Sequence, residues 1–259
     1  MHWLEINDSQ QIYTITLKRP EVRNAFNPEL IKELTAAFKA IPEAIRLVIL
    51  RGEGKVFCSG ADLEWMKSMV NFTLEENKAD SELLYEMFKA MQDCPKPILA
   101  VAQGAAMGGA LGLLACSDIV IAETATQFCF SEVRLGLAPA VISSFILQKS
   151  TLGQSAPWMI SGKMFGVKEA KAMGLVHEAG STEEVEEFVK SWIQTFLDAA
   201  PVAVAETKKL LKDLSRQDGK TQKSVTTSLI AARRVSDEGQ EGLKSFLEKR
   251  QPQWKVSLK

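Results

Sequence analysis

The sequence predicts an α/β fold over its first half and a mostly helical region toward its carboxyl end. Short, β-branched apolar segments alternate with segments of helical period as far as about Gly136, and the periodic segments beyond that point are helical in spacing and length. The chain has 259 residues, of which 46% are hydrophobic, so apolar material for a substantial core is present.

The first predicted strand is Ile12–Leu17, because its apolar residues alternate and several are β-branched. A helix follows after Asn27, where an asparagine cap and a proline in the first turn precede apolar residues at helical spacing. Leu47–Leu50 is predicted as a short buried strand. The capping-box pattern at Thr73 begins a long helix toward Cys94.

Three more elements complete the α/β half: a strand over Pro97–Val101, a helix over Gly108–Cys116 and a strand over Ile119–Ala122. Strands that alternate with helices at these intervals need parallel crossovers. Apolar periodicity, and a proline at a first helical turn, predict the helical region that follows. Its segments are Val141–Lys149, Gln154–Ser161, Val167–Met173, Glu183–Ala199, a helix from Pro201, Gln222–Arg234 and Gln240–Lys249.

Charge and composition exclude several classes of function. With 31 Lys and Arg against 32 Asp and Glu, the chain has no basic footprint, so neither nucleic acid nor a membrane is expected as a partner. Two histidines and four cysteines without a Cys-x-x-Cys pair leave no expected metal site, and buried, reduced thiols are predicted. No basic stretch precedes an apolar one at the amino terminus, so a cytoplasmic location is expected.

Two glycine-containing loops follow predicted strands, at the carboxyl ends where open α/β sheets place ligands. They are Phe57–Leu63 and Gln103–Ala110, and neither has the glycine spacing of a dinucleotide or nucleoside-triphosphate motif. Glycines before a helix allow main-chain N–H groups to approach a ligand, and two such groups make an oxyanion hole. Close helix packing is the competing interpretation, and the spacing alone favours it.

Glu132 is the candidate for proton transfer, because it follows a nearly uniform apolar run at the end of a strand. Burial there would raise the pKa of its carboxyl group and suit it to acid–base chemistry. With so few histidines, such chemistry has to come from carboxylates. The competing interpretations of Glu132 are a salt bridge with Arg134 and a helix cap.

Seven motifs extend along essentially the whole chain: Lys18–Ala25, Phe57–Leu63, Gln103–Gly109, Cys116–Ile119, Ser131–Leu137, Gly174–Val176 and Glu241–Arg250. Together they resemble the enoyl-CoA hydratase/isomerase (crotonase) superfamily. The resemblance implies an α/β spiral of ββα units over residues 1–195 and a helical trimerisation region over 196–259. It also implies acyl-CoA substrates, no cofactor beyond the coenzyme A that the substrate carries, and a homotrimer or a hexamer of two trimers.

Specific roles follow from the same resemblance. The backbone N–H groups of Ala61 and Gly109 would form the oxyanion hole, and Glu132 matches the second catalytic carboxylate of the family. A further set of positions would line the path of coenzyme A, with Phe246 and Lys249 approaching the coenzyme of a neighbouring subunit. The set is Val22, Arg23 as a phosphate contact, Asn24, Ala25, Asp62, Leu63, Phe246 and Lys249.

One departure from the family matters for the reaction. Hydratases of the family commonly carry a first glutamate three residues after the oxyanion-hole glycine, and here that residue is Gly112. A single base, Glu132, suits a 3,2-enoyl-CoA isomerase, because moving a double bond needs one proton shuttle. A non-catalytic acyl-CoA-binding protein is a third alternative, disfavoured because Glu132 and both loops are retained.

The stretches Ala61–Lys67 and Ser131–Ser143 are similar to the bacterial methylglutaconyl-CoA hydratases of leucine breakdown. Some of these hydratases also have glycine at the position of the first glutamate. The resemblance therefore favours a hydratase that adds water across the 2,3 double bond of a short or branched enoyl-CoA. Arg134 would then either attract an acidic substrate tail or, the better-supported alternative, pair with Glu132.

Overall fold

A six-stranded sheet is the framework of the computed structural model, which describes residues 3–214 and 219–258, and only the backbone of 219 and 220. The strand order is β1-β2-β3-β4-β6-β8, and β5 pairs with β7 in a separate parallel ladder. The strands are β1 Leu4–Ser9, β2 Ile12–Leu17, β3 Leu47–Gly52, β4 Ile98–Ala102, β5 Ala105–Met107, β6 Ile119–Glu123, β7 Gln127–Cys129 and β8 Glu178–Gly180.

The helices of the described residues occupy most of the remaining chain, with short 3-10 turns over Pro20–Val22 and Glu132–Leu135. The helices are α1 Pro28–Lys39, α2 Leu63–Met69, α3 Leu74–Asp93, α4 Ala110–Cys116, α5 Ala140–Lys149, α6 Leu152–Ser161, α7 Val167–Ala172, α8 Thr182–Asp198, α9 Pro201–Leu214, α10 Gly219–Val235 and α11 Asp237–Leu247.

The structure confirms the predicted parallel crossovers and the strands and helices named in the sequence. β1 pairs antiparallel with β2, and every other pairing in the large sheet is parallel. The predicted caps are also present, since the Asn27 side chain accepts a hydrogen bond from the Leu30 N–H and Thr73 forms a capping box with Glu76.

Five elements were not predicted: β1, β5, β7 as a defined strand, β8 and α2. β1 has apolar residues only at Leu4 and Ile6, too few to indicate a strand, and its side chains after Leu4 are exposed. β5, β7 and β8 have three residues each, and α2 has seven, so each is too short for its period to stand out.

The chain divides into two compact units. The first contains the chain up to Cys94 together with Ile98–Val189, and it includes both sheets. The second contains Pro95–Pro97 and the chain from Lys190 onward, and the chain passes from one unit to the other within α8. No helix in the described part of the chain is both long and apolar enough to cross a membrane.

Helices α1, α3, α4 and α5 pack together within the first unit and bury its apolar side chains. The four cysteines are buried and free of disulfide bonds, as predicted. His177 is structural, because its Nδ1 accepts a 2.9 Å hydrogen bond from the Val120 N–H beside the sheet. Burial lowers the pKa of His177. His2 lies outside the described residues.

A buried ion pair fixes the loop after β3 to the end of β2. The Arg19 guanidinium donates a 2.8 Å hydrogen bond to the Asp62 carboxylate and another to the Ala25 carbonyl, and it lies 4.7 Å from the Trp3 ring centroid. Burial alone would raise the pKa of Asp62, but hydrogen bonds from the Glu64 N–H and from Arg19 hold it below its ordinary value. Arg19 therefore ties Asp62, the residue after Ala61, to the backbone at Ala25.

Replacing Arg19 by methionine should lower the free energy of unfolding by about 3–5 kcal/mol, because Asp62 would keep a buried charge without its partner. Urea unfolding of both proteins measures this difference. Arg51→Met is the matched control, since Arg51 also forms a two-bond ion pair, with Glu186, but both side chains are more exposed. Its expected cost is below about 1 kcal/mol. Equal losses in the two variants would contradict the prediction.

Candidate active site

The two glycine-containing loops meet at the carboxyl ends of neighbouring parallel strands, β3 and β4. The Cys58 N–H donates to the Ala105 carbonyl at 3.2 Å, and the Met107 N–H donates to the Cys58 carbonyl at 3.1 Å. Gly60 has φ +89°, and a methyl group there would lie 2.9 Å from the Met107 carbonyl oxygen. Glycine is therefore required at residue 60, because both its backbone conformation and the close approach exclude a side chain.

Phe26 holds Ala61 by backbone pairing. The Phe26 N–H donates to the Gly60 carbonyl at 2.7 Å, and the Asp62 N–H donates to the Phe26 carbonyl at 2.8 Å. In this parallel bridge the hydrogen bonds are formed by the Gly60 carbonyl and the Asp62 N–H, which flank Ala61. The N–H of Ala61 itself therefore points away from Phe26. Ala61 is exposed, and its N–H has no hydrogen-bond acceptor among the described residues.

Gly109 supplies the second N–H group. The Gly108 N–H donates to the Cys129 carbonyl at 2.8 Å, which fixes the turn before α4, while the N–H of Gly109 has no acceptor within residues 3–214 and 219–258. A methyl group at Gly109 would lie 3.2 Å from Cε2 of Phe26. The ring of Phe26 thus contacts the loop of the second donor while its backbone holds the first.

Glu132 lies beside the second loop. A methyl group at Gly108 would lie 3.3 Å from the Oε1 atom of Glu132, and Gly108 has φ +52°, so the carboxylate faces a position that only glycine leaves open. The other carboxylate oxygen, Oε2, is buried and has no hydrogen-bond partner among the described residues. Burial raises the pKa of Glu132, and a backbone hydrogen bond offsets only part of that effect.

Both competing interpretations of Glu132 are wrong. It makes no ion pair with Arg134 among the described residues, and Arg134 is exposed. Glu132 does not cap a helix by its side chain either, because it is the first residue of a 3-10 turn whose cap position, Ser131, forms no side-chain cap bond. The expectation that Arg134 is a structural partner of Glu132 is corrected for the same reason.

The space beside Gly112 is filled by apolar side chains. A methyl group at Gly112 would lie 2.5 Å from Cζ of Phe88 and 2.9 Å from Cγ2 of Ile142, well inside contact distance. The Phe88 ring also packs against Phe145, with ring centroids 5.4 Å apart. A larger residue at position 112, a glutamate included, would have to displace these side chains, so residue 112 lies against an apolar wall and supplies no second carboxylate.

The residues predicted to line the coenzyme path differ in what their side chains do. The Asn24 side chain is buried and donates to the Glu53 and Val56 carbonyls, and Asp62 is buried against Arg19. Ala25 is buried, whereas the side chains of Val22, Arg23 and Leu63 are exposed. The buried side chains of Asn24 and Asp62 therefore stabilise the loops, whereas the side chains of Val22, Arg23 and Leu63 are accessible from solvent.

Phe246 and Lys249 belong to the second unit. Phe246 is 81% exposed, and Lys249 follows α11 with φ +55°. Their approach to a neighbouring subunit stays a prediction. Within residues 3–214 and 219–258, no three His, Cys, Asp or Glu side chains converge in a way that could hold a metal ion.

Sequence reasoning missed three residues that organise the site: Arg19, Phe26 and Phe88. Arg19 follows a strand and precedes a proline, a pattern that indicates a chain turn but not an ion pair 43 residues away. Phe26 and Phe88 are ordinary apolar residues in the sequence. Their contacts with Gly109 and Gly112 depend on the tertiary fold, and no local signal indicates them.

Comparison with known proteins identifies the family of the chain. The family model described as enoyl-CoA hydratase/isomerase matches residues 7–257. The 2,3-dehydroadipyl-CoA hydratase of Escherichia coli K12 is 27% identical, and the match covers 98% of this chain and 99% of that protein. Enoyl-CoA hydratase AFT6-1 of Alternaria alternata is 34% identical, over 79% of this chain and 68% of that protein.

Solved structures confirm the fold class. The crystal structure of an enoyl-CoA hydratase from Shewanella pealeana has a TM-score of 0.92 at 35% identity, covering 98% of this chain and 96% of that one. Pseudomonas aeruginosa AtuE has a TM-score of 0.95 at 28% identity, covering 98% and 100%. The fold is the crotonase spiral, and the chain belongs to the enoyl-CoA hydratase/isomerase family.

Proposed function

We propose that the protein is an enoyl-CoA hydratase that adds water across the 2,3 double bond of an acyl-CoA thioester. The observation that carries the proposal is the half-buried Glu132 carboxylate, with one oxygen facing Gly108 and the other buried without a partner. Its Oε1 atom faces Gly108, the residue before Gly109, and the N–H of Gly109 has no acceptor among the described residues. A base and an oxyanion donor therefore stand side by side.

In this proposal the N–H groups of Ala61 and Gly109 bind the thioester carbonyl oxygen. Both donors are held by the backbone around them, so no reorganisation is needed when negative charge develops on that oxygen. The charge develops because adding a nucleophile at the β-carbon moves the electrons of the double bond toward the carbonyl and forms an enolate. Donors fixed in this way are typically worth about 10²–10³-fold in rate each.

Glu132 handles both proton transfers. As a carboxylate it accepts a proton from water while the water oxygen bonds to the β-carbon. The resulting carboxylic acid then delivers that proton to the α-carbon of the enolate, the carbonyl re-forms, and Glu132 returns to the carboxylate. A pKa raised by burial suits both halves of this cycle. It makes the Glu132 carboxylate a stronger base toward water, and its pKa lies closer to the pH at which the group must both accept and release a proton.

The second candidate is a 3,2-enoyl-CoA isomerase, and the wall beside Gly112 favours it. Phe88 and Ile142 occupy the space where a second carboxylate would stand, and one base is enough to move a double bond. The names of the relatives and the resemblance of Ser131–Ser143 to methylglutaconyl-CoA hydratases support the hydratase instead. A non-catalytic acyl-CoA-binding protein would have no use for Glu132.

For the substrate we propose a short or branched enoyl-CoA whose acyl group ends in a carboxylate, such as the 3-methylglutaconyl-CoA of leucine degradation. The Escherichia coli relative is named for 2,3-dehydroadipyl-CoA, which is also the thioester of a dicarboxylic acid. Arg134 supports the same choice, since its exposed side chain, two residues from Glu132, has no ion-pair partner among the described residues. Coenzyme A arrives with the substrate, and no other cofactor is proposed.

We also propose assembly into a homotrimer or a hexamer of two trimers through the second unit. Its support is a set of large apolar side chains that are more than half exposed in the single chain. A cytoplasmic location stays a prediction. The exposed side chains are Leu211, Ile230, Val235, Leu243, Phe246 and Leu247.

Incubating the purified protein with crotonyl-CoA, 3-methylglutaconyl-CoA and a 3-enoyl-CoA should separate the candidate reactions. Hydration removes the ultraviolet absorbance of the conjugated thioester, and isomerisation of the 3-enoyl-CoA creates it. The proposal predicts loss of absorbance with the first two compounds, faster with 3-methylglutaconyl-CoA, and no gain with the third. A gain with the third and no change with the others would establish the isomerase.

Replacing Glu132 by glutamine should lower the rate of hydration by about 10²–10⁴-fold, the usual contribution of a positioned acid–base group. In the unchanged protein, activity needs the carboxylate, whose pKa is raised above the ordinary 4.5. Activity should therefore be lost as the pH falls, with a midpoint above 4.5 in a profile of kcat/KM. Undiminished turnover in Glu132→Gln, or an acid midpoint at or below 4.5, would contradict the role of Glu132.

A further inference from the structure

The side chains of Ser131 and Glu132 both face Gly108. A methyl group at Gly108 would be 3.3 Å from the Oγ atom of Ser131 and equally 3.3 Å from the Oε1 atom of Glu132. A small group that lies over Gly108 therefore meets a hydroxyl and a carboxylate together. Gly108 is the residue before the proposed oxyanion donor Gly109, so this point is beside the proposed position of the thioester.

The backbone of Ser131 is fixed while its hydroxyl group is free to act. The Ser131 carbonyl accepts a 3.1 Å hydrogen bond from the Arg134 N–H within the 3-10 turn. The Oγ atom forms no cap bond and has no other hydrogen-bond partner among the described residues. Most serine hydroxyl groups elsewhere in the first unit, such as those of Ser117 and Ser155, bond to a carbonyl of the preceding helical turn.

Hydration makes a demand that one carboxylate meets only in part. The water must be held so that its oxygen faces the β-carbon, while Glu132 takes one of its protons and then turns to the α-carbon. Phe88 and Ile142 keep residue 112 from supplying a second carboxylate, because they fill the space that its side chain would need. Among the described residues, the Ser131 hydroxyl is an unengaged polar group that faces the same point as Glu132.

We propose that Ser131 is a catalytic residue whose hydroxyl group holds the attacking water beside Glu132. This inference rests on the proposed hydratase function. The hydroxyl accepts a hydrogen bond from the water proton that is not transferred, so that the other proton points at Glu132. The water oxygen bonds to the β-carbon, Glu132 takes the transferred proton and returns it to the α-carbon, and Ser131 ends the cycle unchanged. Ser131 takes no part in proton exchange at the α-carbon.

The test compares two reactions of the same protein. Hydration of crotonyl-CoA and 3-methylglutaconyl-CoA needs the held water, whereas exchange of the α-proton of butyryl-CoA in D₂O needs only the base and the oxyanion donors. Ser131→Ala should lower hydration by about 10–100-fold, the usual effect of a misplaced reactant. Its rate of α-proton exchange should stay within about twofold. Glu132→Gln should lower both rates.

Two control variants separate this role from a structural one. Ser131→Thr keeps a hydroxyl group and should retain most of the hydration rate. Ser144→Ala removes an exposed hydroxyl that bonds to the Val141 carbonyl and should change neither reaction. The midpoint of thermal unfolding should be the same in Ser131→Ala and the unchanged protein, which shows that the fold is intact.

The outcomes distinguish the inference from the function on which it rests. If the unchanged protein hydrates its substrates and Ser131→Ala does so equally well, the role of Ser131 is overturned and the hydratase stands. If Ser131→Ala lowers hydration and α-proton exchange equally, the residue acts on Glu132 and not on water, and the proposal is again overturned. If the unchanged protein exchanges the α-proton but hydrates neither substrate, the hydratase function itself fails.

Discussion

The site depends on one residue, Phe26, which joins the two loops that carry the proposed oxyanion donors. Its N–H and carbonyl pair on either side of Ala61, which leaves the Ala61 N–H facing outward, and its ring packs against Gly109. The side chain is 2% exposed, so the loops meet over a buried aromatic ring. The Arg19–Asp62 ion pair adds a second constraint on the same loop, because Asp62 directly follows Ala61.

The two sides of the second loop and of helix α4 differ in polarity. On one side Glu132 faces a gap that only glycine at position 108 leaves open, and burial raises the pKa of Glu132. On the other side Phe88 and Ile142 close the space beside Gly112. The Oε2 atom of Glu132 is buried without a hydrogen-bond partner among the described residues, which costs stability and is typical of a carboxylate used in acid–base chemistry. In the proposed reaction the Glu132 carboxylate, the Ser131 hydroxyl and the N–H groups of Ala61 and Gly109 carry the chemistry.

The sequence predicted most of the fold and part of the site. Strands such as Ile12–Leu17 and helices such as the one capped by Thr73 carry strong local patterns, and the structure confirms both. The two loops and Glu132 could be identified from their place after strands. The contacts of Phe26 and Phe88 could not, because neither residue differs in its local pattern from any other core phenylalanine. The pairing assumed between Glu132 and Arg134 was wrong because the 3-10 turn leaves Arg134 in solvent.

The N–H groups of Ala61 and Gly109 are proposed to polarise the thioester carbonyl, and infrared spectroscopy tests this contact most directly. The measurement is the infrared difference spectrum of cinnamoyl-CoA, labelled with ¹³C at the carbonyl, free and bound to the protein. Two donors on the oxygen weaken the carbon–oxygen double bond, so the carbonyl stretch should lie at lower wavenumber in the bound thioester. A bound thioester whose carbonyl frequency equals that of the free compound in water would contradict it.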